Sequence, residues 1–138
     1  ILEGLADEVR EDIHLTRVGA DVRLTDEELI AAYQHCEALL FPSAAEGFGL
    51  PVLEAMAAGC PVLASDLPAH NEVAAEGRLL PADDADAWRA AISELHSTWK
   101  TRGGLPRPPD EEALAQAAEF SLGAWSEHLA DAWSELLE

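Results

Sequence analysis

The chain has 138 residues, 49% of them hydrophobic, and a formal net charge of −19, with Lys100 as its only lysine. That length suits one small domain, or part of a larger one, with enough apolar residues to bury a core. The charge argues against nucleic acid and anionic membrane surfaces as partners, and no apolar run reaches the roughly 18 residues that a membrane-spanning helix needs.

The acidic excess fits either a salt-rich cytoplasm or a GC-rich genome that favours Arg, Ala and Asp/Glu codons. The opening Ile1-Leu-Glu-Gly-Leu-Ala-Asp-Glu8 has no basic segment and no methionine. It reads as neither a signal peptide nor a natural start, and the expectation is an excised or truncated chain. Cys36 and Cys60 lack a CxxC spacing and read as two buried, reduced thiols. His14, His35, His70, His96 and His128 show no metal-ligand spacing, so no metal site is expected.

In chain order, Leu2, Leu5, Ala6 and Val9 recur at helical spacing and predict a helix end over residues 1–10. Ile13 to Val18 alternates and is closed by Gly19, a strand pattern. Thr25 before Asp26, Glu27 and Glu28 is a capping box, opening a helix to about Cys36 with Leu29, Ala32 and Tyr33 on one face. Ala38 to Phe41 is a short apolar run ended by Pro42 and reads as a buried parallel strand. Ser43 to Gly49 is a loop. Leu50 to Ala58 is a helix with Pro51 in its first turn and Gly59 as its stop. Pro61 to Ser65 is a second buried strand, Asp66 to Ala69 a turn, and a short helix runs to about Ala75. Gly77 to Leu80 is a short strand, and Asp83 opens a helix to about Lys100. Arg102 to Pro109 is a Gly/Pro-rich loop within the domain. Asp110 caps a helix to about Phe120, and Ser121 caps a last helix to about Leu137. In that helix Leu122, Trp125, Leu129, Trp133 and Leu136 make one apolar stripe.

Strands alternating with helices at this spacing predict an α/β fold, a Rossmann-like parallel sheet of about four strands with helices on both faces. Such sheets bind ligands beyond the C-terminal ends of their strands. The loops Ser43 to Gly49 and Ser65 to Asn71 both fall there. The first runs into Glu46-Gly-Phe-Gly-Leu-Pro-Val-Leu-Glu54, two carboxylates eight positions apart around a glycine-containing turn and a helix start. Free N–H groups at a helix start suit a phosphate, and carboxylates accept hydrogen bonds from sugar hydroxyls. Diphosphate and hydroxyls together describe a nucleotide sugar. The plainer reading of the glycines is an ordinary strand-to-helix turn, and of the glutamates a solvated surface.

From Thr25 to about Leu80 the sequence resembles the second half of the nucleotide-sugar-binding domain of retaining GT-B glycosyltransferases, the large family that includes glycogen synthase and sucrose synthase. Leu40-Phe-Pro-Ser43 followed by Glu46 to Glu54 resembles the paired-glutamate motif with its seven intervening residues. Ala55-Met-Ala-Ala-Gly-Cys-Pro-Val-Leu-Ala-Ser65 resembles the helix and strand that follow. Leu24 to Tyr33 resembles the segment before the donor-site strand, Asn71-Glu-Val73 and Leu80 to Asp84 match less sharply, and Phe120-Ser121 with the final helix resembles the family's tail.

The resemblance implies a single partial donor-binding domain over residues 1–138, with residues 122–138 as a helix crossing to an N-terminal domain. It implies that Glu54 accepts from the ribose hydroxyls and Glu46 holds hydroxyls of the donor hexose. Backbone amides at Phe48, Gly49 and Leu50 would meet the sugar or diphosphate, with Gly47 and Ser43 at the nucleotide. No residue here is assigned as a nucleophile, and no cofactor is implied beyond the nucleotide-sugar donor. The implied location is cytoplasmic, or peripheral at the inner membrane face for a full-length parent. The Arg and Lys with which the family neutralises the diphosphate have no visible counterpart, and the acceptor domain is absent. The expectation is therefore a glycosyltransferase donor-binding part that needs an N-terminal domain. The alternatives are a non-catalytic interaction module or inactive relic, and a glycosidase using Glu46 and Glu54; the expected partner beyond the donor is an N-terminal acceptor domain or, through the last helix, a second copy of the chain.

Overall fold

The computed structural model describes residues 1–74, 78–121, 123 and 124. Apart from residues 123 and 124, the final helix predicted over 122–137, with its Leu122, Trp125, Leu129, Trp133 and Leu136 stripe and His128, lies outside the described residues, as do Ala75 and Gly77. The fold is α/β, built on a parallel three-stranded sheet in the order β1-β2-β3. The strands are β1 (Leu39–Phe41), β2 (Val62–Ser65) and β3 (Leu79–Leu80). Leu39 pairs with Val62 and Phe41 with Ala64, and Ser65 pairs with Leu80. β2 is buried along its whole length, whereas β1 and β3 are half-buried. The expectation of a fully buried first strand is corrected accordingly: among the described residues β1 has a neighbouring strand on one side only.

Helices cover both sheet faces, as the period-2 geometry of a strand requires. They are α1 (Asp7–Asp12), α2 (Asp26–His35), α3 (Leu50–Ala57), α4 (Pro68–Val73), α5 (Ala85–Thr101) and α6 (Glu111–Ala118). Leu39 and Phe41 point into the larger core, where Tyr33 of α2, Val52 and Met56 of α3 and Ala117 of α6 meet β2. Leu40 points the other way and joins Leu5, Val9 and Ile92, which bring α1 and α5 together. That second contact is tied at its rim by charge. Asp12 Oδ2 lies 2.8 Å from His96 Nε2 and 3.0 Å from Lys100 Nζ, and these hydrogen bonds, His96 first, hold the Asp12 carboxyl below its usual range.

Local signals account for most element ends. Thr25 Oγ1 accepts from Glu28 N at 3.3 Å while Glu28 Oε2 accepts from Thr25 N at 2.8 Å, the expected reciprocal cap. Asp110 Oδ1 caps α6 through Ala113 N at 3.1 Å, and Ser121 Oγ accepts from Ala124 N at 3.2 Å. Gly59 closes α3 with φ +71°.

Three expectations need correction. Residues 1–10 do not form one helix: a 3-10 turn at Leu2–Gly4 precedes α1, separated by extended backbone at Leu5. Asp84, not Asp83, caps α5, accepting from Asp86 N and Ala87 N. Ile13 to Val18 is not a strand of the sheet. Arg17 pairs with Asp21 across the Gly19 turn, Val18 makes only an isolated bridge with Val22, and Leu15 and Val18 remain exposed. The alternation is present, but the turn folds the segment against itself, leaving three strands among the described residues where about four were expected. Ala32 is exposed, so the buried face of α2 rests on Tyr33 with half-buried Leu29. Among the described residues no helix is long and apolar enough to cross a membrane.

Candidate functional site

The candidate site is the segment that leaves β1 and turns into α3. Ser43 Oγ lies 2.8 Å from Glu46 Oε1 and 3.0 Å from the Ala45 carbonyl, so its single proton can steady either end of this short loop. Gly49 then adopts a left-handed conformation, φ +76° and ψ +36°, and is buried. A glycine accepts this conformation without the steric cost of a Cβ. The Gly49 carbonyl accepts from Val52 N at 3.0 Å and Leu53 N at 3.3 Å, starting the helix. Pro51 has no N–H to satisfy, and among the described residues the N–H groups of Phe48, Gly49 and Leu50 donate to no protein acceptor. The positive end of α3 and these free donors make the turn suited to an anion.

The loop after β2 meets this turn from below. His70 of α4 is fully buried, and its Nδ1–H donates to the Ser65 carbonyl at 2.6 Å. Its ring sits edge-on to Phe41, with centroids 5.5 Å apart. A Cβ on Gly49 would lie 2.9 Å from His70 Cδ2, so imidazole and turn are in close contact. His70 Nε2 and Ser65 Oγ are both buried without a hydrogen-bond partner among the described residues. The two loops expected at the C-terminal edge of the sheet therefore touch.

Glu46, Gly47, Phe48, Leu50 and Glu54 are exposed around this turn, and Ser43 is half-buried. Glu54 lies within α3, where its charge, after burial, helps push the Tyr33 hydroxyl up to about 12. The edge is an open surface: a cleft of about 730 Å³ lies elsewhere, between β2, β3 and α5, lined by Leu63, Leu80, Ala91 and Arg107 among others. No cluster able to hold a metal ion occurs among the described residues.

Most of the cations are committed to partners outside the turn. Arg10, Arg17, Arg78, Arg89, Lys100 and Arg102 form ion pairs with Asp7, Asp21, Asp110, Asp86, Asp12 and Glu37 respectively. Arg107 binds the carbonyls of Tyr33, Cys36 and Gly59. Arg23 and Arg107 make no ion pair among the described residues.

Sequence reasoning placed Ser65 and the following loop at this edge but missed His70 as the side chain beneath the turn. A histidine on a six-residue helix with Val73 one turn on looks like an ordinary surface position. Only the close approach to Gly49 and the bond to the Ser65 carbonyl distinguish it.

Comparison with known proteins bears on this edge. Residues 3–98 match the family described as glycosyl transferases group 1. The O-antigen chain mannosyltransferase RfbU of Salmonella typhimurium is 44% identical over 69 residues, which is 49% of this chain and 20% of that protein. The serotype-specific mannosyltransferase WbdA of Escherichia coli is 39% identical over 118 residues, 83% of this chain and 14% of that protein. The D-inositol 3-phosphate glycosyltransferase of Corynebacterium urealyticum is 34% identical over 113 residues, 80% of this chain and 26% of that protein. The chain thus spans between 14% and 26% of the length of these relatives. No solved structure matches it.

Proposed function

Because the chain belongs to the glycosyl transferases group 1 family, we propose that it is the donor-binding part of an enzyme moving a hexosyl group from a nucleotide-diphosphate sugar to an acceptor, with retention of anomeric configuration. The observation that carries this reading is the turn at Gly49, where a left-handed glycine opens α3 and three N–H groups donate to no acceptor among the described residues. Those donors suit the diphosphate or the sugar. Glu46, steadied by Ser43, is assigned to the hexose hydroxyls. Glu54, further along α3, is assigned to the ribose, where a carboxylate can accept two hydroxyl hydrogen bonds. In this assignment Gly47 lets the nucleotide approach the backbone, since nothing lies within 4 Å of the space a Cβ would fill.

The chemistry assigned to these residues is positioning and electrostatic stabilisation of a departing diphosphate, with no protein nucleophile. The distribution of cations favours a division of labour. With the ion-paired cations held away from the turn, the charge that neutralises the diphosphate is assigned to another part of the enzyme, as is the acceptor site. The same observation supports a second reading, a nucleotide-binding or interaction module without catalysis of its own.

Titrating the chain with a nucleoside diphosphate while recording backbone amide NMR signals tests the proposal. The expected result is shifts concentrated at Phe48, Gly49, Leu50 and Glu54. Shifts absent from this turn at millimolar ligand would contradict it.

A further inference from the structure

At the opposite edge of the sheet, Cys36 follows α2 and leads into β1, and Cys60 follows α3 and leads into β2. Both therefore sit at the N-terminal ends of adjacent parallel strands, away from the Gly49 turn. Their sulfurs are 3.3 Å apart and unbonded. Cys60 is fully buried, whereas Cys36 is half-buried, which corrects the expectation of two buried thiols. We propose that Cys36 and Cys60 form a redox-active dithiol that closes reversibly to an intramolecular disulfide through attack by Cys36.

The surroundings favour this chemistry at three points. Arg107 clamps both cysteine-bearing segments, donating from Nε to the Cys36 carbonyl at 2.6 Å and from Nη1 to the Gly59 carbonyl at 2.7 Å. A third bond, from Nη2 to the Tyr33 carbonyl at 2.8 Å, fixes the guanidinium across the end of α2. The two sulfurs are thereby held close before any covalent bond exists. The hydrogen bond from Cys60 and the Arg107 charge lower the Cys36 thiol, which favours its thiolate. The same hydrogen bond and burial push Cys60 up, leaving it as the protonated partner. Partial exposure gives a reagent access to the sulfur that ionises, while the other waits behind it.

With a low-molecular-weight disulfide RSSR as oxidant, the Cys36 thiolate attacks one sulfur, forming Cys36–S–S–R and releasing RS⁻. Cys60 loses its proton to solvent and attacks Cys36 Sγ, forming the Cys36–Cys60 bond and releasing the second RS⁻. Two protein thiols are oxidised and one small disulfide is reduced to two thiols. The bond formed would link the end of α2 to the start of β2.

Oxidised glutathione added to the reduced chain, followed by alkylation of free thiols and intact mass measurement, tests the proposal. The expected wild-type product is a monomer with both thiols lost together and a mass lower by about 2 Da. Cys60→Ser should stop at a glutathione adduct on Cys36. Cys36→Ser should react at least about tenfold more slowly than wild type, since its remaining thiol is buried. A wild-type chain that keeps both thiols, or accumulates a glutathione adduct without closing, overturns the proposal. So does a Cys36→Ser variant that reacts as fast as wild type. The wild-type outcome needs no variant to fold, and none of these results depends on the function assigned to the Gly49 turn.

Discussion

Gly49 concentrates two requirements in one residue. Its φ of +76° is disfavoured for any side chain, and its missing Cβ leaves the space that His70 occupies at 2.9 Å. Gly47, two residues earlier, carries neither requirement: its φ is not positive and no atom stands within 4 Å of a built Cβ. The pair is a controlled comparison within one loop. Gly49→Ala is expected to destabilise the fold by roughly 1–3 kcal/mol through backbone strain and the clash with the imidazole. Gly47→Ala should stay within about 0.5 kcal/mol. Urea denaturation followed by circular dichroism distinguishes them, and equal midpoints for the two variants would remove Gly49 from its place as the fixed point of the turn. His70 belongs to the same argument. Its Nδ1–H satisfies the Ser65 carbonyl in the interior, so the ring both fills space and answers a buried acceptor.

At the scale of elements, helix ends were the most legible part of the sequence. Thr25 with Glu28, Pro51 with Gly59, and Asp110 each announce a boundary through a local mechanism that needs no tertiary partner, and each is found in place. The parallel pairing of β1 and β2 through α3 was legible for a related reason, since the apolar runs are short and the crossover is a complete helix. Ile13 to Val18 was misread because alternation specifies a strand only when a neighbour is there to pair with, and the Arg17–Asp21 contact closes the segment on itself. At the candidate site the turn was legible and its support was not. The Glu46–Glu54 segment carries its own spacing, whereas His70 reaches Gly49 only through the fold.

Asp110 shows how an element end can carry more than its local role. Oδ1 caps α6 and Oδ2 holds Arg78 at 2.9 Å, with the Asp110 side chain only 11% exposed. Thr25 caps α2 at an exposed site with no such second partner among the described residues. Asp110→Ala is therefore expected to cost about 2–3 kcal/mol, a cap plus a partly buried ion partner. Thr25→Ala should cost about 1 kcal/mol. Thermal unfolding midpoints that fall equally for both would show that the Arg78 pair adds nothing.

For the molecule as a whole, charge and sheet polarity set the terms. The net charge of −19 makes any approaching nucleotide work against a repulsive field. The turn at Gly49 can attract an anion only because its donors are fixed backbone groups at a helix start rather than mobile side chains. The sheet separates two chemistries by direction: candidate donor recognition at the C-terminal ends of the strands, and the Cys36–Cys60 dithiol at the N-terminal ends. The family's relatives are several times longer than this chain, which fits an enzyme whose acceptor site and diphosphate-neutralising cations come from elsewhere. In the proposed function, the edge bearing Glu46 to Glu54 binds the donor nucleotide through Glu54. Calorimetric titration of a nucleoside diphosphate in about 0.15 M KCl, where the acidic field is screened beyond roughly 8 Å, tests it most directly on the wild-type chain, Glu54→Gln and Glu72→Gln. Glu72 is the control, an exposed carboxylate on α4. The account predicts that Glu54→Gln weakens binding by roughly 1.5–3 kcal/mol, on the order of tenfold or more, while Glu72→Gln binds as the wild type does. Equal affinity for all three, or a greater loss at Glu72, would contradict it.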